Sequence, residues 1–484
     1  MHGQIARIDA KLFSVAAAMP LLVGVSVYTL MVAYPPHLLS DPDTYWQIAA
    51  GRWIFQHDAV PWTDPFSFTM RGAPWIAFEW LSELIYAAAF AAAGWTGIVV
   101  LAAAAIGLAF GLLSHLLLRA LKPVPALVLT LAALTLVTPH MLARPHVLVL
   151  PVMVAWTGAL VRAMDRQSGP PYLALPLLVL WANLHGSVIA GLGLIGPAVL
   201  EALVLGKNRR AWASIILRWA PFTVLAIFAC CLTPYGYHSL LIPLKTLGLG
   251  DALNLIQEWK PQNFAHLRAF EIVLLLGIFA ASRGLTLPPL RTLVVLGLLH
   301  LALAHTRNAD LLAMLAPLYL AAPLARKFGS SHNAGRQPLV PGLGVAAIVA
   351  TVVATVHVAT QPVAPAVGNT PQAAIEAAGL AKSGPVFNDY SFGGYLIYAG
   401  IPPFIDGRGE LYGADFIRDY SRAIALRDIP GLVKMLDDYG IGATLLTPDT
   451  PAVALLDRMP GWQRVYSDDV AVVHKRRSAV STHN

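Results

Sequence analysis

Charge is scarce in this chain. Lysine and arginine number 33 and aspartate and glutamate 26 among 484 residues, so charged side chains make up 12% of the whole, against about 25% in an ordinary soluble domain. With 57% hydrophobic residues and a mean hydropathy of +0.63, a soluble globular chain is excluded and a polytopic membrane protein expected. Cysteine is nearly absent. The only two, Cys230 and Cys231, are adjacent in an apolar run, which argues against disulfide, redox or zinc chemistry. No repeat of fixed period is present. The net charge of +7 falls mostly in short loops between apolar runs, as membrane topology requires, and gives no reason to expect nucleic acid as a partner.

What is there instead is a series of apolar runs. A membrane-spanning helix needs about 20 residues. Candidate spans are 13–33, 96–118, 124–139, 147–163, 171–184, 187–205, 213–232, 268–282, 289–305, 309–325 and 340–358. The first is too long for a signal-peptide core of about 7–15 residues and reads as a retained span. Basic residues cluster in alternate loops: Arg7 and Lys11, Arg119 and Lys122, Arg162 and Arg166, Lys207 with Arg209 and Arg210, Arg283 with Arg291, and Arg326 with Lys327. Eleven crossings put all of these inside, and the loop after the first span and the C-terminal region outside. Residues 78–93 would upset that alternation if they crossed. They read as an interfacial or half-inserted helix separated from 96–118 by Gly94.

The expected division is a transmembrane domain over 1–358 carrying a first external loop at 34–95, a Pro-rich linker over 359–368, and an extracytoplasmic α/β domain over 369–484. In that domain Pro385-Val-Phe, Pro403-Phe-Ile, Ile441–Leu446, Gln463–Tyr466 and Val470–His474 read as strands, and Leu432–Tyr439 as a helix. The fold class is thus an α-helical polytopic membrane protein of about 11 spans with a small C-terminal α/β domain, placed in the inner (plasma) membrane.

Two carboxylates stand out in the first external loop, Asp41 and Asp43, in Ser40-Asp-Pro-Asp-Thr-Tyr-Trp. Asp-Pro and Ser-Asp also favour turns and helix caps. Two acidic residues just past a span can equally serve as a base and a metal ligand, or offer two oxygens to Mg²⁺ or Mn²⁺. Tyr45, Ile48, Trp53 and Phe55 recur at helical spacing, which predicts a helix lying along the membrane surface. Its Arg52 and His57 would face lipid phosphate or simple headgroups. Arg144 with His146, and Arg307 after His305, fall at the outer ends of spans, where a cation needs a reason. Guanidinium groups match phosphate geometry, so these residues are phosphate-binding candidates, Arg307 ahead of Arg144. His185, in Trp181-Ala-Asn-Leu-His-Gly, is either part of a polar hairpin or a substrate contact. Glu258, alone in the second large external loop, reads as solvated more readily than functional, and is kept as a substrate-binding candidate.

Asp41-x-x-x-Tyr45-x-x-x-Ala49, followed by a Gly/Arg/Trp helix, Pro61, Gly72 and an apolar helix ending at Gly94, resembles the first external loop of GT-C membrane glycosyltransferases. The lipid A aminoarabinose transferases and protein O-mannosyltransferases are nearest in pattern. The resemblance implies that Asp41 acts at the sugar-transfer centre and that the donor is a polyprenyl-phosphate-linked sugar. Mannosyltransferase-like members carry Asp-Glu there; here Pro42 replaces the glutamate, leaving Asp43 or Glu79 to substitute. Farther on, Phe387-Asn-Asp-Tyr-Ser-Phe-Gly-Gly-Tyr-Leu and Phe404-Ile-Asp-Gly-Arg resemble the region around the Trp-Trp-Asp-Tyr-Gly motif of oligosaccharyltransferase catalytic subunits, without its tryptophans. The acceptor, whether glycan, lipid or protein, stays open. Two rival classes remain. A flippase or transporter would call for broken helices at the midplane and repeat symmetry, which do not stand out. A non-catalytic envelope-assembly protein would tolerate loss of Asp41.

Overall fold

A computed structural model of the chain describes residues 2–330 and 341–477. The start of the last expected span at residue 340, and the last seven residues of the expected α/β domain, 478–484, lie outside the described residues. The chain divides into two compact units, neither continuous in sequence. One comprises the residues up to Leu38 together with Thr96–Leu240 and Gln257–Val363. The other comprises Leu39–Trp95, Leu241–Ile256 and the chain from Ala364 onward.

The first unit is helical. Among the described residues of the whole chain, seven helices are long and apolar enough to cross a membrane. Four shorter apolar helices, Ala18–Ala33, Tyr172–Leu184, Ala269–Ser282 and Pro289–Ala304, stand at the other expected positions. The protein is multi-pass. Helix starts follow the prolines: Pro123, Pro145 and Pro289 each occupy a first helical position, where the missing N–H costs nothing. Small residues set the closest packing. A Cβ on Gly107 would lie 2.7 Å from the Gly24 carbonyl oxygen, and one on Gly111 3.0 Å from that of Pro20. The first helix therefore meets the Gly107-x-x-x-Gly111 face backbone to backbone, which is how apolar helices associate where lipid removes the hydrophobic drive. Arg291, counted by topology among the loop charges, is instead buried, paired with Glu201 at 2.8 Å and Asp165 at 2.7 Å.

In the second unit Leu39–Trp95, most of the expected first external loop, groups with the α/β body. That body carries a four-stranded sheet, β1 (Val386–Asn388), β2 (Ala443–Leu446), β3 (Trp462–Ser467) and β4 (Val472–Arg476), in the order β1-β2-β4-β3. β1 and β2 are parallel, and the remaining pairs antiparallel. The expected strand at Pro403-Phe-Ile is only a single bridge from Pro403 to Val386; proline has no N–H with which to extend a ladder. Tyr45, from the first loop, lies in the core of this body with Leu396, Leu445 and Val473. Its hydroxyl bonds Thr370 Oγ1 at 2.7 Å, and burial pushes that hydroxyl up to about 12.

The Asp43–His57 helix is accordingly not an amphipathic surface helix. From Thr44 to Gly51 all but Ala49 are buried, while Phe55, expected on the apolar face, is exposed. Protein covers most of its apolar residues. The next helix, Trp80–Leu118, departs from helical geometry at Ala93 and Gly94 (φ +58°), at the break expected between 78–93 and 96–118. Only glycine takes such a φ without strain.

Candidate active site

In the loop-and-sheet unit the Asp41 carboxylate accepts the Asp43 N–H at 2.8 Å. Pro42 stands between them at φ −68°, ψ −21°. The ring sets a helical φ in advance, so the chain turns from Asp41 directly into the helix. The turn chemistry expected of Asp-Pro is present, and it holds the carboxylate in one orientation. Glu79 is buried just ahead of Trp80, with Glu83 one turn along. The Arg52 guanidinium lies against the edge-to-face pair of the Phe90 and Tyr398 rings, 5.0 and 4.9 Å from their centroids. His57 stacks on Trp53 and bonds its carbonyl at 2.8 Å.

The loop is tied to the α/β body through Arg408, which the sequence placed in a resembling motif but not among the candidate site residues. Arg408 is fully buried. It donates to both oxygens of Asp406, at 2.8 and 2.7 Å, and to Asp64 Oδ1 at 2.6 Å. Tyr412 gives Asp406 Oδ2 a further bond at 2.7 Å. The Trp75 and Phe66 rings lie 4.7 and 5.3 Å from the guanidinium carbon, and Trp75 Nε1 donates to Glu410 at 3.2 Å. Burial opposes the ionised form of Asp406, but the Arg408 charge and hydrogen bonds outweigh it and hold the carboxyl below its usual range. Burial equally opposes the guanidinium charge, and Asp406 overrides it. Such a forked, fully bonded pair is the arrangement in which buried charges persist.

The resembling motif at Asn388-Asp389 has local work. Asn388 Oδ1 accepts the Phe404 N–H at 2.7 Å, and its Nδ2 donates to the Ile405 carbonyl at 2.8 Å. Asp389 accepts the Ser391 N–H and hydroxyl. These bonds shape the segment that carries Asp406 and Arg408.

The helical unit holds the second group. Glu258, read from sequence as solvated, is bonded by both Arg144 and Arg307, the latter at 2.8 Å. Arg307 also lies over the Trp259 ring at 4.5 Å. Thr306 Oγ1 donates to the Glu258 carbonyl at 2.9 Å, which fixes the two short 3₁₀ turns against each other. Burial acts to raise the Glu258 carboxyl, but the two arginines bring it down to about 2. His146 donates to the His140 carbonyl at 2.8 Å and stands 3.8 Å from Asp310, a buried residue that sequence reading missed. His185 Nδ1 accepts the Ser187 N–H at 3.0 Å. Burial, then the charge of Arg307, push this imidazole well below its usual range. Two guanidinium groups against one carboxylate leave the trio one positive charge in excess, which suits a phosphate.

Among the described residues no group of three or more His, Cys, Asp or Glu side chains is arranged to hold a metal ion. Magnesium is commonly held by one or two carboxylates completed by water and substrate phosphate, and Asp41 and Asp43 supply that number.

No protein-family model matches the chain, and no curated protein matches it by sequence. Solved structures do. The apo oligosaccharyltransferase of Archaeoglobus fulgidus superposes over 90% of this chain and 69% of its own, with a TM-score of 0.56 at 12% identity. AglB from the same organism, in complex with an inhibitory peptide and a dolichol-phosphate, covers 88% and 69%, with a TM-score of 0.56 at 10% identity. ArnT from Cupriavidus metallidurans, bound to undecaprenyl phosphate, covers 94% and 97% with a TM-score of 0.45 at 12% identity. The chain thus shares the fold of the archaeal oligosaccharyltransferase.

Proposed function

We propose that this protein is a glycosyltransferase that moves a sugar from a polyprenyl phosphate or diphosphate to an acceptor hydroxyl at the outer face of the inner membrane. The observation that carries the reading is the oriented Asp41 carboxylate, one turn past the first helix, in a chain with the fold of an archaeal oligosaccharyltransferase. AglB binds a dolichol-phosphate, a donor carrier of the class proposed here.

In this reading the acceptor oxygen attacks the anomeric carbon and its proton passes to Asp41. The bond from that carbon to the phosphate oxygen breaks, and the phosphate leaves with the electron pair. A base must come within about 2.6–3.2 Å of the proton it takes, and the turn bond from Asp43 holds Asp41 to one direction. Arg307, with Arg144, stabilises charge growing on the leaving phosphate. The phosphate then takes the place of the Glu258 carboxylate between the two guanidinium groups. In the alternative role of this pair, Asp41 and Asp43 would hold a divalent cation that neutralises phosphate charge. Arg52, His57, Glu79, His146 and His185 remain substrate-binding candidates.

The test is Asp41→Asn, which keeps the shape and the turn bond and removes the base. Transfer from polyprenyl-phosphate-linked sugar in membranes should fall at least about a hundredfold, the low end for a general base. Asp43→Asn should be milder. Normal transfer by Asp41→Asn would end the catalytic assignment.

A further inference from the structure

Glycines in the loop-and-sheet unit are of two kinds. Gly400, Gly413 and Gly440 have φ of +74°, +78° and +58°, and a Cβ added to any of them would meet nothing within 4 Å. They answer to backbone conformation. Gly394 and Gly407 have no left-handed φ, so conformation does not call for glycine there. Space does. A Cβ on Gly394 would lie 2.4 Å from the Pro42 carbonyl oxygen, and one on Gly407 would lie 2.0 Å from Asp43 Oδ1 and 2.8 Å from its Cγ. Real Cβ atoms essentially never approach closer than 3.0 Å. The volume left by these two missing side chains is filled by the Asp41-Pro42-Asp43 turn. Gly393 joins the two halves of this cradle: its own Cβ would lie 2.3 Å from the Ile405 carbonyl, on the segment that carries Gly407.

We propose that Gly394 and Gly407 are positioning residues that aim Asp41, so that the C-terminal α/β body takes part in the transfer step by holding the catalytic turn. This rests on the reading of Asp41 as the base. The coupling is direct. Asp41 Oδ1 is bonded to the Asp43 N–H, so a displacement of Pro42 and Asp43 carries the Asp41 carboxylate with it. The Gly394 overlap falls on the backbone carbonyl of Pro42, so relieving it moves the turn itself, while the Gly407 overlap falls on the Asp43 side chain and reaches the turn only through it. A misplacement approaching about 1 Å can cost on the order of a hundredfold in rate.

The experiment uses the full chain in membranes from a strain lacking it, supplied with a panel of radiolabelled undecaprenyl-phosphate hexoses and pentoses. Turnover at saturating donor, the half-saturating donor concentration and the melting midpoint are measured for Gly394→Ala, Gly407→Ala and a control, Gly442→Ala. The control Cβ would lie 2.5 Å from the Ser383 carbonyl, a backbone overlap close to the 2.4 Å one at Gly394 that involves no residue of the turn. Gly394→Ala should lose up to about a hundredfold in turnover and Gly407→Ala a smaller but clear part of that, each with half-saturation within about twofold. Gly442→Ala should lower the midpoint but keep its turnover per folded molecule. On an Asp43→Ala background the opposing carboxylate is gone, and Gly407→Ala should then cost little more in turnover or in midpoint. Equal turnover losses in Gly407→Ala and Gly442→Ala, or a Gly407→Ala cost undiminished by Asp43→Ala, would overturn the proposal. Asp41→Asn is run alongside. If it is inactive while Gly407→Ala turns over normally, only the positioning proposal falls. If Asp41→Asn is fully active, the base reading falls and takes the positioning claim with it.

Discussion

Replacing Arg408 by methionine is the sharpest test of the claim that the first external loop and the α/β body are one unit. The guanidinium is the only cation bonded to Asp64 and Asp406 among the described ion pairs of that cluster, and all three side chains are fully buried. Methionine keeps much of the volume and the apolar packing against Phe66 and Trp75 but leaves two carboxylates without their counter-charge. Breaking a buried pair from one side costs about 3–5 kcal/mol. Two stranded carboxylates place this variant at the upper end. For a unit of this size each kcal/mol lowers the melting midpoint by roughly 2–4 °C, so at the upper end of that cost the drop should be roughly 10–20 °C. The assay is heating of the full chain in detergent followed by fluorescence-detected size exclusion, with proteolysis of the 58–79 segment as a second readout. Arg408→Lys should recover only part, because a point charge cannot fork onto Asp406 while reaching Asp64. Adding Asp64→Asn and Asp406→Asn to Arg408→Met should restore much of the loss. The effect should be nearly independent of salt, since buried pairs are weakly screened. An Arg408→Met protein melting within about 2 °C of wild type would refute the reasoning, because the destabilisation expected of a broken buried pair is several times larger.

Arg307→Ala should abolish transfer while protein level and membrane insertion persist, and Arg307→Lys should recover little; full activity in the alanine variant would remove Arg307 from the site. The Glu258 carboxyl, held at about 2 against an ordinary 4.5, stabilises the fold fully above about 4.5 and loses that contribution as pH falls toward 2. The midpoint advantage of wild type over Glu258→Gln should therefore shrink between pH 4.5 and 3, by about 2 kcal/mol; a gap that stays constant over that range would contradict the pairing. A C-terminal alkaline phosphatase fusion should be active and a fluorescent-protein fusion dark, and the reverse would place the α/β body on the other side of the membrane.

Hydropathy and local pattern made much of this protein legible in one dimension. The apolar helices stand where runs of about 20 apolar residues stand, because in lipid a backbone must satisfy its hydrogen bonds within the segment. The break at Gly94 and the strands around Val386, Leu445, Tyr466 and Val473 were equally readable from glycine and from β-rich runs. Asp41 was noticed because a carboxylate is conspicuous where charge is rare. Tertiary structure decided the rest. Asp64 and Arg408 are 344 positions apart, and each alone looks like an ordinary turn residue; only folding makes them one buried ion pair. Glu258 looked solvated because neither arginine that flanks it lies near it in the chain. The Asp43–His57 helix has apolar residues on several sides, and the sequence could not say whether lipid or protein would cover them. The glycines at 394 and 407 carry no side chain to signal a role. What they do is set by what occupies the space they leave, and that is a property of the fold, since a steric overlap exists only between residues that folding has brought together.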